Sequence, residues 1–168
     1  EKLMLDVVVK NTERFLLSVP KTKRKKYGQF FTNMSTAKFM ASLFCFDRSK
    51  PCLEILDAGA GTGILATAVI QKLIDDGYKG RIHVTCYETD DFVMPVLEEN
   101  MRLSTVLPNV TCSIKTDNYI TSQNFSNYTL FGGEDFHYDY IIGNSVTQSF
   151  SNGNVSTSTG NLTYRGIS

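Results

Sequence analysis

Residues that bind metals are scarce in this chain of 168 residues. Its two histidines stand apart and its four cysteines show no C-x-x-C spacing, so we expect no metal site. We interpret the cysteines as buried free thiols of a protein in a reducing cytoplasm. The sequence has no signal-peptide pattern and no long apolar run, so we expect no membrane association. The net charge is zero, so electrostatic attraction alone is not expected to provide binding affinity.

Glycines are concentrated in one short segment, Asp-Ala-Gly-Ala-Gly-Thr-Gly at residues 57–63. It follows an apolar run and precedes a helix-like stretch at residues 64–75, which predicts a strand, a glycine turn and a helix. Such a turn binds nucleotide-like cofactors, because glycine removes the Cβ that would block a ligand and the helix N-terminus offers unpaired N–H groups. The dinucleotide pattern is G-x-G-x-x-G, whereas Gly59, Gly61 and Gly63 form G-x-G-x-G. This order resembles the S-adenosyl-L-methionine loop of class I methyltransferases.

Polar residues follow three further predicted strands, at residues 82–87, 110–115 and 138–142. Strands alternate with helices from residue 53 onward, which is typical of a parallel sheet with flanking helices in an α/β fold. Ligands of such sheets bind at the carboxyl ends of the strands. We therefore expect Glu88, or Asp90 in its place, to accept hydrogen bonds from the ribose of the cofactor, and Asp117 to accept one from its adenine amine.

The segment Gly-Gln-Phe-Phe-Thr at residues 28–32 completes a set of motifs that resembles one family. Together with the glycine loop and the acidic positions, it looks like the amino-terminal part of adenine-N6 DNA methyltransferases of restriction-modification systems. The resemblance covers about residues 20–144. It implies a Rossmann-like class I methyltransferase fold, S-adenosyl-L-methionine as cofactor, and DNA as the partner of the complete protein. The candidate cofactor-binding residues are then Gly28, Phe30, Thr32, Asp57, Gly59, Gly61, Gly63, Glu88 and Asp117.

The catalytic tetrapeptide of that family departs from its usual form here. The family has Asn or Asp, Pro, Pro and an aromatic residue, whereas residues 144–147 are Asn-Ser-Val-Thr. The resemblance implies that Asn144 is catalytic and accepts a hydrogen bond from the amine of a flipped adenine. Ser145 and Val146 supply no rigid proline carbonyl, and Thr147 has no stacking face. We expect the chain to keep cofactor binding and to be impaired in methyl transfer.

Three segments are predicted. An N-terminal helical segment covers residues 1–50, a partial cofactor-binding α/β domain covers 51–144, and a polar tail covers 145–168. We expect helices at residues 3–18 and 35–46, the second with Ser35 as its N-cap and with the apolar residues Phe39, Met40, Leu43 and Phe44 in the core. The tail predicts a β-hairpin that turns at Gly160 and Asn161. An uncovered edge of the fourth strand would favour self-association.

Several alternatives remain open at this point. The basic run at residues 21–26 contacts DNA phosphates or forms a solvated linker. Asp57 contacts the cofactor, or it orients the glycine loop by accepting hydrogen bonds from the N–H groups of that loop. Beside a DNA methyltransferase, the sequence is compatible with a methyltransferase for a protein amide or small molecule. It is also compatible with a non-catalytic cofactor-binding or assembly module, because the Pro-Pro-Tyr part of the tetrapeptide is missing.

Overall fold

The computed structural model describes residues 4–21, 31–122, 138–151 and 154–165, with the backbone alone at 120–121, 144–151 and 154–165. Within these residues, no helix has the length and apolar character needed to cross a membrane. The helices and strands, in chain order, are α1 Met4–Ser18, α2 Met34–Ser42, β1 Cys52–Asp57, α3 Ile64–Asp75, β2 Arg81–Tyr87, α4 Met94–Ser104, β3 Val110–Lys115, α5 Tyr119–Ser122, β4 Tyr140–Ser151 and β5 Asn154–Arg165.

The strands form one sheet in the order β3-β2-β1-β4-β5. The first four are parallel and β5 runs antiparallel to β4. Chain order reverses at β1, because β2 lies on one side of it and β4 on the other. Open α/β sheets bind ligands at this reversal, outside the carboxyl ends of the strands. The predicted α/β class with a partial parallel sheet and flanking helices is confirmed.

The core lies between one face of the sheet and helices α1 to α4. Alternate strand residues such as Leu53, Ile55 and Val84 are fully buried on this face. Eight of the 12 residues of α3 are buried, since α1, α2 and the sheet surround it. A helix buried on most sides is apolar on most sides, which explains the run at residues 64–70. This burial holds the first turn of α3 firmly behind the glycine loop.

Helix α2 differs from its prediction at both ends and in the face that it buries. The side chain of Asn33 accepts a hydrogen bond from the Thr36 N–H at 2.9 Å, so the N-cap is Asn33 and not Ser35. Ala37, Met40 and Ala41 form the buried face. The placement of Phe39 and Leu43 in the core is therefore wrong, as they are 62% and 53% exposed. Large apolar residues dominated the prediction, whereas small residues allow the close packing of α2 on α3.

The polar tail also differs from its prediction. Strands β4 and β5 pair continuously from Tyr140 with Arg165 to Ser151 with Asn154. Gly160 and Asn161 lie inside this ladder, so the turn predicted at these two residues is wrong. The reason is that residues 145–151 continue the fourth strand, and their backbone groups then pair with the whole of β5. In the described residues, β5 of the tail covers the edge of β4 that would otherwise be open.

Candidate cofactor site

The glycine loop joins the carboxyl end of β1 to the first turn of α3. Gly61 and Gly63 have φ angles of +54° and +81°, a region that favours glycine. The Gly63 N–H donates to the Ala60 carbonyl at 2.8 Å, and the Ala60 N–H donates to the Tyr87 carbonyl at 2.8 Å. The loop is thus closed on itself and tied to the end of β2, at the edge where the sequence placed the ligand.

The three glycines of the loop have different neighbours. A Cβ on Gly63 would lie 2.6 Å from the Met101 Cε, and one on Gly61 would lie 3.3 Å from the ring of Phe31. A Cβ on Gly59 would have no heavy atom of the described residues within 4 Å. Packing against α4 therefore explains Gly63 without any ligand. The missing side chain of Gly59 has no such explanation among the residues that the structure describes, which leave open space beside the loop.

Glu88 connects the end of β2 to the glycine loop. Its Oε2 accepts from the Gly61 N–H at 2.8 Å. Its Oε1 accepts from the N–H groups of Thr89 and Asp90 at 2.7 and 2.8 Å. Three backbone donors therefore fix the orientation of this half-buried carboxylate. Glu88, which the sequence predicted to accept hydrogen bonds from the ribose, and the glycine loop therefore form one hydrogen-bonded unit.

Asp57 is a fully buried carboxylate at the end of β1. Its Oδ2 accepts from the Ala66 N–H in the first turn of α3 at 3.2 Å. Its Oδ1 is buried without a hydrogen-bond partner among the described residues. Burial raises the pKa of Asp57 to about 7, and the backbone N–H groups of Ala66 and Gly59 oppose this rise. The Oδ1 is thus a buried acceptor that no described donor uses.

The other predicted site residues are described with their side chains, by the backbone alone or not at all. Asp117 is exposed just beyond β3, and Thr32 is a buried residue in the segment before α2. Asn144 is described by its backbone alone, two residues beyond Ile142, which pairs with Asp57. Gly28 and Phe30 lie outside the described residues, as does most of the basic run. The structure thus brings together Asp57, the glycine loop and Glu88.

Aromatic contacts beside the loop were missed by sequence reasoning. The Phe31 ring, next to Gly61, lies 6.0 Å from the Phe15 ring of α1. The Phe15 ring in turn lies 5.4 Å from that of Phe92, which is 48% exposed. No local pattern marks Phe15, because its partners are distant in sequence.

Two curated relatives share sequence with this chain. The type II methyltransferase M.BsuBI of Bacillus subtilis is 33% identical over 115 residues, which are 67% of this chain and 23% of that protein. The type II methyltransferase M.PstI of Providencia stuartii is 38% identical over 77 residues, 46% of this chain and 15% of that protein. The chain therefore spans less than a quarter of the length of either relative. No protein-family model matches it.

Solved methyltransferase structures give a weaker likeness. A putative O-methyltransferase from Klebsiella pneumoniae is 19% identical, with a TM-score of 0.48 over 86% of this chain and 66% of that chain. An O-methyltransferase from Bacillus cereus in complex with SAH is 16% identical, with a TM-score of 0.47 over the same shares. Since both scores are low, the fold assignment depends on the strand order described above.

The sequence comparison relates this chain to methyltransferases. More closely, the chain is homologous to a part of the type II methyltransferases. This homology confirms the methyltransferase family that the sequence motifs predicted.

Proposed function

We propose that this chain forms the S-adenosyl-L-methionine-binding part of a DNA adenine-N6 methyltransferase. Homology to type II methyltransferases supports the reaction class. The reversal of strand order at β1 supports a ligand at the carboxyl edge of the sheet. When bound, S-adenosyl-L-methionine supplies a methyl group on a positively charged sulfur. The residues of this chain bind and orient the two substrates of the transfer.

The observation that carries the proposal is the combination of an open glycine with a buried, unpaired acceptor. Gly59 has space beside its Cα that none of the described residues fills, so a ligand is able to approach the backbone there. Asp57 Oδ1 is a buried acceptor that lacks a partner among the described residues, and the ammonium of a methionine group is a suitable donor. Both features fit a small ligand with an amino-acid end.

Acidic residues would hold the other end of the cofactor. Glu88 is already oriented by three backbone N–H groups, and of the roughly four lone-pair sites of a carboxylate one remains, on Oε2, to accept from a ribose hydroxyl. Asp117 follows the neighbouring strand and would accept from the adenine amine. Thr32 would lie near the methionine part, together with Gly28 and Phe30. These assignments follow the family resemblance and the shared sheet edge.

Asn144 is the proposed orienting group for the target adenine. Its backbone lies in β4 just beyond the reversal of strand order, next to the proposed cofactor. Its side-chain amide oxygen would accept from the adenine amine and aim the nitrogen lone pair at the methyl group. The following Ser-Val-Thr lacks the second acceptor and the stacking ring of the family. Transfer by this chain would therefore be slow even with cofactor bound.

The test is calorimetric binding of S-adenosyl-L-methionine to the wild type and to Gly59→Val. The new side chain fills the open space, so binding should be lost while the midpoint of thermal unfolding changes little. Gly63→Ala is the matched contrast, because its Cβ meets Met101 and should lower the midpoint. A folded wild type that does not bind, or an unchanged dissociation constant in Gly59→Val, would contradict the proposal.

DNA is the proposed partner of the complete protein. Residues 1–56 contain 11 basic and 5 acidic residues, so this part has a charge of +6. Contacts between basic residues and phosphates make affinity fall steeply with salt. A titration of a DNA duplex at several salt concentrations would show this slope. A salt-independent or absent affinity would instead favour the non-catalytic cofactor-binding module, which the altered tetrapeptide also supports.

The four cysteines are free, which supports a cytoplasmic location.

A further inference from the structure

Thr62, the residue between the two left-handed glycines, is held by helix α1. The Thr12 Oγ1 of α1 lies 2.8 Å from the Thr62 Oγ1 and 3.0 Å from the Val8 carbonyl oxygen. Thr12 and Thr62 are 3% and 1% exposed. A hydroxyl pair this deeply buried cannot exchange its hydrogen bonds for water. The contact therefore joins an N-terminal helix directly to the loop of the cofactor site.

Helix α4 holds the same residue from the other side. The Asn100 Nδ2 donates to the Thr62 carbonyl oxygen at 2.8 Å. The Asn100 Oδ1 accepts from the Asn11 Nδ2 of α1 at 3.0 Å. Asn100 is fully buried, so each of these bonds replaces one that water cannot supply. The hydroxyl and the carbonyl of Thr62 are thus both fixed, by two helices that are themselves connected.

The loop needs such external contacts because of its composition. Glycine loses more conformational freedom on folding than any other residue, and Gly61 and Gly63 flank Thr62 on either side. Their positive φ angles are one choice among several that glycine allows. Side-chain bonds from α1 and α4 select this choice. Without them, the Gly61 N–H that faces Glu88 would be less firmly placed.

We propose that Thr12 is a positioning residue that, through Thr62, fixes the glycine loop in the conformation that receives the cofactor. That the loop receives a cofactor rests on the proposed function, whereas the effect of Thr12 on the conformation of the loop does not. Phe15, one turn further along α1, adds an apolar contact through the Phe31 ring beside Gly61. Helix α1 thus contacts the loop region at two points, although its sequence has no ligand-binding motif.

Three variants of the full chain separate positioning from simple stability. Thr12→Val keeps the shape of the side chain and removes its hydroxyl. Thr12→Ser keeps the hydroxyl and is the rescue variant. Tyr78→Phe is the matched control, because it removes another buried hydroxyl, which donates to the Lys50 carbonyl oxygen at 2.9 Å and lies beyond the carboxyl end of α3, away from the loop.

Two measurements are made on each variant. Amide hydrogen exchange at Gly61 and Gly63 reports the order of the loop without ligand. Calorimetry with S-adenosyl-L-homocysteine reports affinity. In Thr12→Val we expect exchange at both amides to be about tenfold faster and the dissociation constant to rise about tenfold. Thr12→Ser should stay within about twofold of the wild type in both measurements. Tyr78→Phe should lower thermal stability and leave exchange at the loop amides unchanged.

Equal loop exchange in Thr12→Val and the wild type would overturn the inference, as would equal acceleration in Thr12→Val and Tyr78→Phe. If the wild type binds no S-adenosyl-L-homocysteine but the exchange pattern is as expected, the proposed function fails and the positioning of the loop stands. Should Thr12→Val not fold, Asn11→Ala is the milder variant, since it removes only the partly buried bond to Asn100. Amide exchange at Gly61 and Gly63 is then measured in Asn11→Ala, and exchange equal to that of the wild type would overturn the inference.

Discussion

The glycine-loop end of the sheet and the ladder of β4 with β5 are stabilised by different kinds of contact. Specific side chains fix the loop, with Met101 against Gly63 and Glu88 on the Gly61 N–H. The ladder is a continuous series of backbone pairs through a stretch rich in Ser and Thr. Side-chain contacts constrain sequence closely, whereas backbone pairing tolerates many residues. The departure from the family tetrapeptide falls in the tolerant region.

The strongest way to break the loop is Gly63→Val. A β-branched residue at φ +81° is strained, and its Cβ would also meet Met101 and Leu97. We expect the free energy of unfolding to fall by about 5 kcal/mol, the sum of backbone strain and overpacking. Urea denaturation followed by circular dichroism measures this loss. Gly59→Val is the control, and a comparable loss in that variant would contradict the distinction between the two glycines.

Asp57 gives the loop end a pH dependence. Burial raises its pKa to about 7 from an ordinary 3.8, so the folded state binds more protons than the unfolded state between these values. The contribution of Asp57 to the free energy of unfolding should therefore be greatest below pH 4. It should decline as the pH rises toward 7, by at most about 4 kcal/mol.

The measurement for Asp57 is the free energy of unfolding at several pH values for the wild type and Asp57→Asn. Asparagine has no carboxyl proton, so the difference between the two proteins isolates the titration of Asp57. Relative to the variant, the wild type should lose stability between pH 4 and pH 7. A difference that is constant over this range would show that Asp57 does not titrate there.

Glu88→Gln tests the unit formed by β2 and the loop. The amide group of glutamine would place a donor against one of the three N–H groups that Glu88 now accepts. We expect the dissociation constant for S-adenosyl-L-methionine to rise about tenfold, equivalent to about 1.4 kcal/mol. Glu98→Gln on the exposed side of α4 is the control for a change of one charge. Equal affinities in the two variants would remove Glu88 from the site.

Local sequence patterns predicted the parts of the fold that depend on local pattern. The bounds of α3 and β3 agree with the predicted residues 64–75 and 110–115. Glycine at a strand-to-helix turn requires particular φ angles wherever it occurs, so the loop was also recognisable. Acidic residues at strand ends were placed by the known geometry of parallel sheets.

Contacts between distant segments were not predictable in this way. Thr12 and Thr62 are 50 residues apart, and neither lies in a sequence pattern that predicts contact with the other. The buried face of α2 depends on which helix it meets, so Phe39 was misplaced. The register of β5 depends on how far β4 continues, and a Ser- and Thr-rich strand shows no apolar alternation to indicate it.

A double substitution, Ser145→Pro with Val146→Pro, tests the ladder alone. In an antiparallel pair, consecutive residues direct their N–H groups to opposite sides, so one of the two prolines must remove a bond to β5. We expect faster amide exchange around Gly160, which pairs with Ser145, and a dissociation constant for the cofactor within about twofold of the wild type.

Since these prolines restore part of the family tetrapeptide, the same protein separates two explanations of its altered sequence. If affinity is unchanged while the ladder loosens, the loop end binds independently of residues 145–146, and the altered tetrapeptide affects transfer alone. A rise in the dissociation constant as large as that of Gly59→Val would instead show that the β4–β5 ladder supports the cofactor site, and the contrast between the two regions would be wrong.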